Sequence, residues 1–331
     1  MGAEPPVPVG SAAAEGRNVL DRRLITVFGG AGFLGRHIIR RLARDGWIIR
    51  VAGRSRKRAM FLQTYGEAGQ IVPVVADVTR AQSVQPAVVD ADAVVNLVGI
   101  LSPRGRNTFD AVHAQGAANV AAAARDAGAE RLIQLSAIGA DPESPSAYAR
   151  TKAAGEQAAK SAFPDVTILR PSVVFGPEDD FFNRFASMAR MLPVLPVFES
   201  KVQPVYVGDV ADAAIKVLAE PLTRSKTYEL GGPRVMTYRE IMEMVLAETG
   251  RRRWLMPLPL SIAAIQAWFL EKLPSPPLTR DQVRLLGIDN VVSADALGLK
   301  DLGISPTAVE AIVPGYLAPY QRPVKQSLRG L

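Results

Sequence analysis

Cysteine is absent from the 331 residues, and the only two histidines, His37 and His113, stand far apart in the chain. Disulfides and thiolate metal sites are thereby excluded, a histidine-based metal site is not expected, and no metal enters the chemistry anticipated here. No apolar run reaches the roughly 18 to 20 residues that span a bilayer. The N-terminus also lacks a basic stretch followed by an apolar core and a cleavage site, so export is not expected. Acidic side chains are in deficit, 32 against 39 Lys and Arg, for a formal charge of +7. That balance favours anionic partners: a phosphorylated cofactor, lipid head groups, an acidic protein face or nucleic acid. Charge alone does not choose among them.

A hydrophobic content of 48% is ample for a buried core. Residues 1–22 are rich in Ala, Gly and Pro and read as a flexible arm; Glu4 and Glu15 argue against an Arg-rich, acid-poor transit peptide, which favours a bacterial source. From there apolar runs at 24–28, 48–52, 71–75, 93–98, 132–135 and 166–169 alternate with helix-length segments. That order implies an α/β architecture with a doubly wound parallel sheet over 23–170. Phe33, Leu34, Ile38, Ile39 and Leu42 recur at helical spacing, and the stretch 114–127 is alanine-rich, as suits helices packed closely on a sheet. Past Arg170 prolines multiply and elements shorten, with a strand expected at 205–207 and a helix at 209–218. A smaller C-terminal lobe over 171–331, interleaved with the core, is expected.

Directly after the first apolar run comes Gly29-Gly30-Ala31-Gly32-Phe33-Leu34-Gly35. Gly29 permits a tight turn, Gly32 lets the backbone approach a pyrophosphate, and Gly35 lets the helix pack on the strand; the helix N-terminus receives the phosphates. This is the dinucleotide loop of a Rossmann fold. The second strand runs into Gly53-Arg54-Ser55-Arg56-Lys57-Arg58, where an NAD-specific site would place an acid against the ribose 2′-hydroxyl. Arg54 can instead pair with a 2′-phosphate, helped by Ser55 and by Arg56 or Lys57, so NADP(H) is the expected cofactor. Asp77 and Val78 stand where the adenine would lie, and Asn96, Val98 and Gly99 line the crevice.

Tyr148-Ala149-Arg150-Thr151-Lys152 places a phenol and an ammonium four apart on one helix face, with Ser136 ending the preceding strand. This Tyr-x-x-x-Lys pattern resembles the short-chain dehydrogenases. The lysine can lower the phenol's pKa and hold the nicotinamide ribose, Tyr148 can act as general acid or base, and Ser136 can orient an oxygen. The same three residues can equally serve as cofactor-holding hardware without turnover. The segments 169–177, which carries Pro171, Ser172 and Val173 beside the nicotinamide, and 203–211 resemble extended and atypical members of that superfamily.

Within it, Val27-Phe28-Gly29-Gly30, Leu135-Ser136-Ala137-Ile138-Gly139-Ala140-Asp141 and Pro277-Leu278-Thr279-Arg280-Asp281-Gln282-Val283 are similar to the Rossmann-fold accessory subunits of respiratory complex I, the alpha-subcomplex subunit nine family. That resemblance implies a tightly held NADPH with a structural or regulatory role, far from the electron-transfer path. It implies other complex I subunits as partners, at the junction of the peripheral arm with the membrane. The expected location is peripheral, on the cytoplasmic side of a bacterial inner membrane or the matrix side of the mitochondrial one, with no nucleic-acid partner. A free-standing NADP-dependent reductase or epimerase, and a redox-sensing regulator of the NmrA-like kind, remain alternatives.

Arg251-Arg252-Arg253-Trp254 precedes a largely apolar stretch at 258–270 that contains Trp268 and Phe269, with Lys272 beyond it. Composition by itself favours a buried helix closing the small lobe. The resemblance tips the expectation for 251–290 toward a neighbouring subunit or anionic lipid, with arginines at head groups and tryptophans at the interface.

Overall fold

The computed structural model describes residues 23–273 and 276–322; the arm expected over 1–22 lies outside the described residues. The elements run β1 (Leu24–Phe28), α1 (Phe33–Arg44), β2 (Ile48–Gly53), β3 (Ile71–Val75), α2 (Ala81–Val88), β4 (Ala93–Asn96), α3 (Gly116–Asp126), β5 (Arg131–Leu135), α4 (Ala147–Ala162) and β6 (Thr167–Pro171). There follow β7 (Val174–Phe175), α5 (Phe182–Met191), β8 (Val194–Val197), β9 (Lys201–Val202), β10 (Val205–Tyr206), α6 (Val207–Ala219) and β11 (Thr227–Leu230). The chain closes with β12 (Met236–Thr237), α7 (Tyr238–Glu248), β13 (Trp254–Pro257), α8 (Leu260–Leu270), α9 (Arg280–Leu285) and α10 (Val309–Leu317).

Seven strands form one parallel sheet in the order β11-β6-β5-β4-β1-β2-β3. The two-residue period of a strand sends alternate side chains to opposite faces. Ile25 and Val27 accordingly meet α1 and α6 on one face, and Phe28 and Val94 meet α2, α3 and α4 on the other. Thr26 shares the second face, where its buried hydroxyl donates to the Ala87 carbonyl at 2.7 Å. On α1 the apolar positions Leu34, Ile38, Ile39 and Leu42 are all buried against the sheet.

Two boundaries differ from the sequence expectation. Val207 begins α6 rather than ending a strand, because the chain turns into the helix after Tyr206, two residues ahead of Asp209, which accepts from the Thr307 N–H and hydroxyl. The larger difference is β11: the sheet draws its edge strand from well past Arg170, through pairing of Thr227–Leu230 with β6. Its Glu229 is buried, and Arg170 of β6 reaches it at 3.3 Å while clasping Glu156 of α4 with two bonds of 2.8 and 2.7 Å. These charges hold α4, β6 and the edge strand β11 in one register.

The lobe beyond the sheet has its own cores, one around Phe175, Phe182, Ile241 and Val313 and another in which Val283 of α9 meets Ala263 and Ala267 of α8. Those two alanines are the buried residues of α8; Leu260, Ile262, Ile265, Trp268 and Phe269 are exposed, Ile265 by 62% and Phe269 by 60%. The buried lobe-closing helix that composition favours is therefore not what forms. Apolar residues cover the whole circumference of α8, and one neighbouring helix can cover only one stripe of it. Among the described residues no helix is long and apolar enough to cross a membrane.

Removing one member of a buried ion cluster strands the others, at a typical cost of about 3–5 kcal/mol. Arg170→Ala leaves Glu156 and Glu229 without their cation, and urea unfolding is expected to show a loss of that size.

Candidate dinucleotide site

The sheet order reverses between β1 and β4, the place at which open α/β sheets take ligands. There Gly29 adopts φ +77° and donates its N–H to Ala52 O at 3.0 Å. A Cβ on it would lie 3.3 Å from the Leu97 carbonyl carbon and from Val98, so the loop after β1 lies directly on the loop after β4. Gly35 passes so close to Gly30 that a Cβ would stand 2.5 Å from its backbone. Gly32 precedes the first turn of α1, which carries no acidic residue, leaving the positive end of the helix open toward the crevice. Leu34 is core, and the Phe33 ring lies under Gly176 of the 169–177 segment.

At the end of β2, Arg54, Ser55, Arg56, Lys57 and Arg58 are exposed, and the four cations form no ion pair among the described residues. The remaining expected contacts divide. Asp77 accepts from the Thr79 N–H and hydroxyl in a local turn, and Val78 is buried under α3. Asn96 spends both ends of its buried amide internally, on Gln134 Oε1 at 2.8 Å and the Val98 N–H at 3.2 Å. Ser172 donates to Asn290, and Pro171 and Val173 join backbone bonds to Ile138 and Val205. The side chains of Asn96 and Ser172 thus make hydrogen bonds within the protein, while Asp77 uses one carboxylate oxygen for both of its bonds.

Gly99, Tyr148 and Lys152 do come together, and Ser136 directly follows Leu135, whose carbonyl the lysine reaches. Ser146 caps α4, which places Tyr148 in its first turn and Lys152 one turn on. The Lys152 Nζ lies 3.3 Å from the Leu135 carbonyl, 5.9 Å from the centre of the Tyr148 ring, and 3.3 Å from where a Cβ on Gly99 would stand. Burial lowers the lysine to about 8 against the opposing pull of Glu156. It pushes the Tyr148 phenol up to about 12, opposite to the lowering expected from a neighbouring ammonium, because desolvation disfavours the phenolate.

The cluster includes two residues that motif reasoning missed. His113, in a π turn (Asp110–Gln115) leading into α3, and Phe109 both pack on the Tyr148 ring. Ile100 donates its N–H to His113 Nε2 at 3.0 Å, so the ring proton sits on Nδ1, 3.1 Å from the Thr151 hydroxyl. Burial, then the Lys152 charge, pulls the imidazole down to about 3 and keeps it neutral. The available signal was its place on an apolar stripe with Phe109 and Val112; nothing local marked its partners.

Among the described residues two atoms are short of acceptors or donors: the buried Ser136 hydroxyl has no hydrogen-bond partner, and the Lys152 ammonium bonds only the carbonyl of Leu135. An ammonium offers three donors. Oxygen atoms such as ribose hydroxyls fit that deficit, and the glycine loop and free cations fit a phosphorylated dinucleotide.

A glycine loop at the switch point, with a Ser, Tyr, Lys cluster across the crevice, defines a dinucleotide-binding protein of the short-chain dehydrogenase type. The chain belongs to the NAD dependent epimerase/dehydratase family, whose model matches residues 25–231, and within it to the family of complex I 40 kDa and alpha subcomplex subunit 9 proteins. It is 36% identical over 307 residues to the mitochondrial NADH-ubiquinone oxidoreductase 40 kDa subunit of Neurospora crassa, covering 92% of this chain and 82% of that one. The mitochondrial NADH dehydrogenase (ubiquinone) 1 alpha subcomplex subunit 9 of Mus musculus is 33% identical over 300 residues, 89% of this chain and 80% of that one. In fold, the chain matches Citrobacter sp. triphenylmethane reductase complexed with NADP(H), with a TM-score of 0.70 at 22% identity over 88% of this chain and 99% of that one.

The unfolded chain protonates His113 below about 6.5 and the folded protein only near 3. Stability from the neutral ring is therefore complete above pH 6.5 and is lost as pH falls toward 3. Between pH 6.5 and 4, wild type is expected to lose on the order of 3 kcal/mol more than His113→Asn, read by urea unfolding at each pH.

Proposed function

We propose that the protein is an NADP(H)-holding accessory subunit of a complex I-type assembly, with the cofactor serving stability rather than electron transfer. The observation that carries this reading is the 36% identity to the Neurospora complex I subunit, which extends over 92% of the chain and so includes the C-terminal lobe. The loop Gly29 to Gly35 would cradle the pyrophosphate, and Arg54, with Ser55, Arg56 and Lys57, would take the 2′-phosphate. Ser136, Tyr148, Lys152 and Gly99 would hold the nicotinamide ribose, whose oxygens supply the partners that Ser136 and Lys152 lack.

The partners are other complex I subunits, at the junction of the peripheral arm with the membrane. The exposed face of α8 rests on an anionic bilayer surface. Trp268 and Phe269 stack edge to face, and the Lys272 ammonium sits 4.1 Å over the Trp268 ring, an arrangement of amphipathic rings and cation suited to head-group depth. Of the three arginines before β13, Arg251 and Arg253 donate to the carbonyls of Tyr320 and Ala189 and brace the lobe, and among the described residues none of the three pairs with a carboxylate. The location is the cytoplasmic face of a bacterial inner membrane, or the matrix face in an organelle.

A second reading, a free-standing NADP-dependent reductase or epimerase, draws on the complete Ser136, Tyr148, Lys152 set. When bound, NADPH would supply a hydride there, and Tyr148, neutral with its phenol near 12, would donate the proton. Gentle solubilisation of membranes, tag purification and mass spectrometry of proteins and nucleotide separate the two. Complex I subunits with retained NADPH are the expected result; a partnerless soluble protein with freely exchanging cofactor would overturn the accessory-subunit reading.

Two variants test the details. Arg54→Asp should weaken NADPH roughly 10- to 100-fold by calorimetry and leave NADH within a few-fold, since one charge-assisted contact to the 2′-phosphate is lost. Trp268→Ser with Phe269→Ser should abolish flotation with phosphatidylglycerol-containing vesicles.

A further inference from the structure

The carboxylate of Asp281 reaches out of α9 in the C-terminal lobe to the start of α4. It accepts from the Ser146 hydroxyl at 2.8 Å, the Ala147 N–H at 2.7 Å and the Tyr148 N–H at 3.0 Å. Ser146 is the N-cap of α4, and its own oxygen accepts from Ala149. The first turn of the helix that bears Tyr148 is thus capped by two residues, one of them 135 positions away and belonging to another packing unit. A carboxylate at this place satisfies orphan N–H groups and opposes the positive end of the helix dipole.

The residue before it ties the same segment to α8. Arg280 donates its backbone N–H and its Nε to the two oxygens of Glu271, which ends α8, at 2.7 and 2.8 Å. Val283, two residues after Asp281, is buried against Ala263 and Ala267 on the inner side of α8. Gln282 reaches the Leu101 carbonyl, beyond Gly99 and Ile100 on the loop after β4. Asp281 therefore stands between the exposed apolar face of α8 and the Tyr148, Lys152 cluster, with a direct bond or packed contact at each step.

We propose that Asp281 is a positioning residue that couples occupancy of the dinucleotide site to the order of the α8–α9 unit, so that cofactor bound at Tyr148 and Lys152 firms the apolar docking face. The proposal rests on the cofactor reading given above. Coupling of this kind is reciprocal: what orders α8 and α9 must also tighten cofactor binding by the same factor. A cofactor remote from any redox chemistry would then have a structural consequence at the α8 face proposed above to rest on the bilayer.

Hydrogen exchange by mass spectrometry, on the full chain with and without NADPH, tests it without any docking partner. Wild type should gain protection in the glycine loop, at 146–152, and also at 260–273 and 276–286. Asp281→Asn, which removes the charge and replaces one of the two acceptor oxygens by an NH2 group, so that either the Ala147 or the Tyr148 N–H loses its acceptor, should bind NADPH roughly tenfold more weakly and show protection that stops at 146–152. Wild-type protection at the glycine loop with none at 260–286 overturns the coupling and leaves the cofactor reading standing. Absence of protection at the glycine loop overturns the cofactor reading and the coupling with it. Undiminished affinity and spread in Asp281→Asn would show that Asp281 is not the link.

Discussion

The site depends on how helix α4 is held. Tyr148 and Lys152 act from one helix face, so their usefulness is set by how firmly that helix is fixed in rotation and along its axis. Its middle is fixed by the clasp of Arg170 on Glu156, and the second hold of Arg170 on Glu229 joins the clasp to the sheet edge. The other oxygen of Glu229 takes the Ser293 N–H, so the network reaches into the lobe as well. Buried charges of this kind are costly unless fully partnered, which makes the arrangement specific: few alternative packings would satisfy all of them.

In the protein alone, the site this helix serves is under electrostatic tension. A buried hydroxyl lacks a partner among the described residues, an ammonium is drawn down to about 8, a phenol is pushed up to about 12, and an imidazole is kept neutral. Each reflects polar chemistry withdrawn from water before a ligand takes water's place. A ligand that supplies the missing oxygens stabilises the folded state by mass action in proportion to its concentration over its dissociation constant.

The parallel sheet, the glycine loop and the Tyr-x-x-x-Lys pattern were legible because each is a local signal: alternating or continuous apolar runs, glycines at fixed spacing, two side chains one helical turn apart. Strand β11 was not. Thr227-Tyr228-Glu229-Leu230 carries a carboxylate that is buried with Arg170, 59 residues earlier, and the Ser293 N–H as its partners. Asn96 was read as lining the crevice from its place at the end of the fourth strand, and Ser172 as lying beside the nicotinamide from the resemblance of its segment; the sequence did not show that their polar atoms bond to Gln134, Val98 and Asn290. His113 showed a position on an apolar stripe and no hint of Ile100 or Thr151.

The fold class, the glycine loop after β1 and the helical spacing of Tyr148 and Lys152 were therefore determined by the sequence itself, since backbone periodicity and loop geometry act over a few residues. Tertiary structure alone decided which polar groups stay free for a ligand, which are consumed in holding the fold, and that Asp281 from the distant lobe caps the helix of Tyr148. Those outcomes depend on hydrogen bonds and charge pairs between residues far apart in the chain, and no local pattern encodes the partner of a buried polar atom.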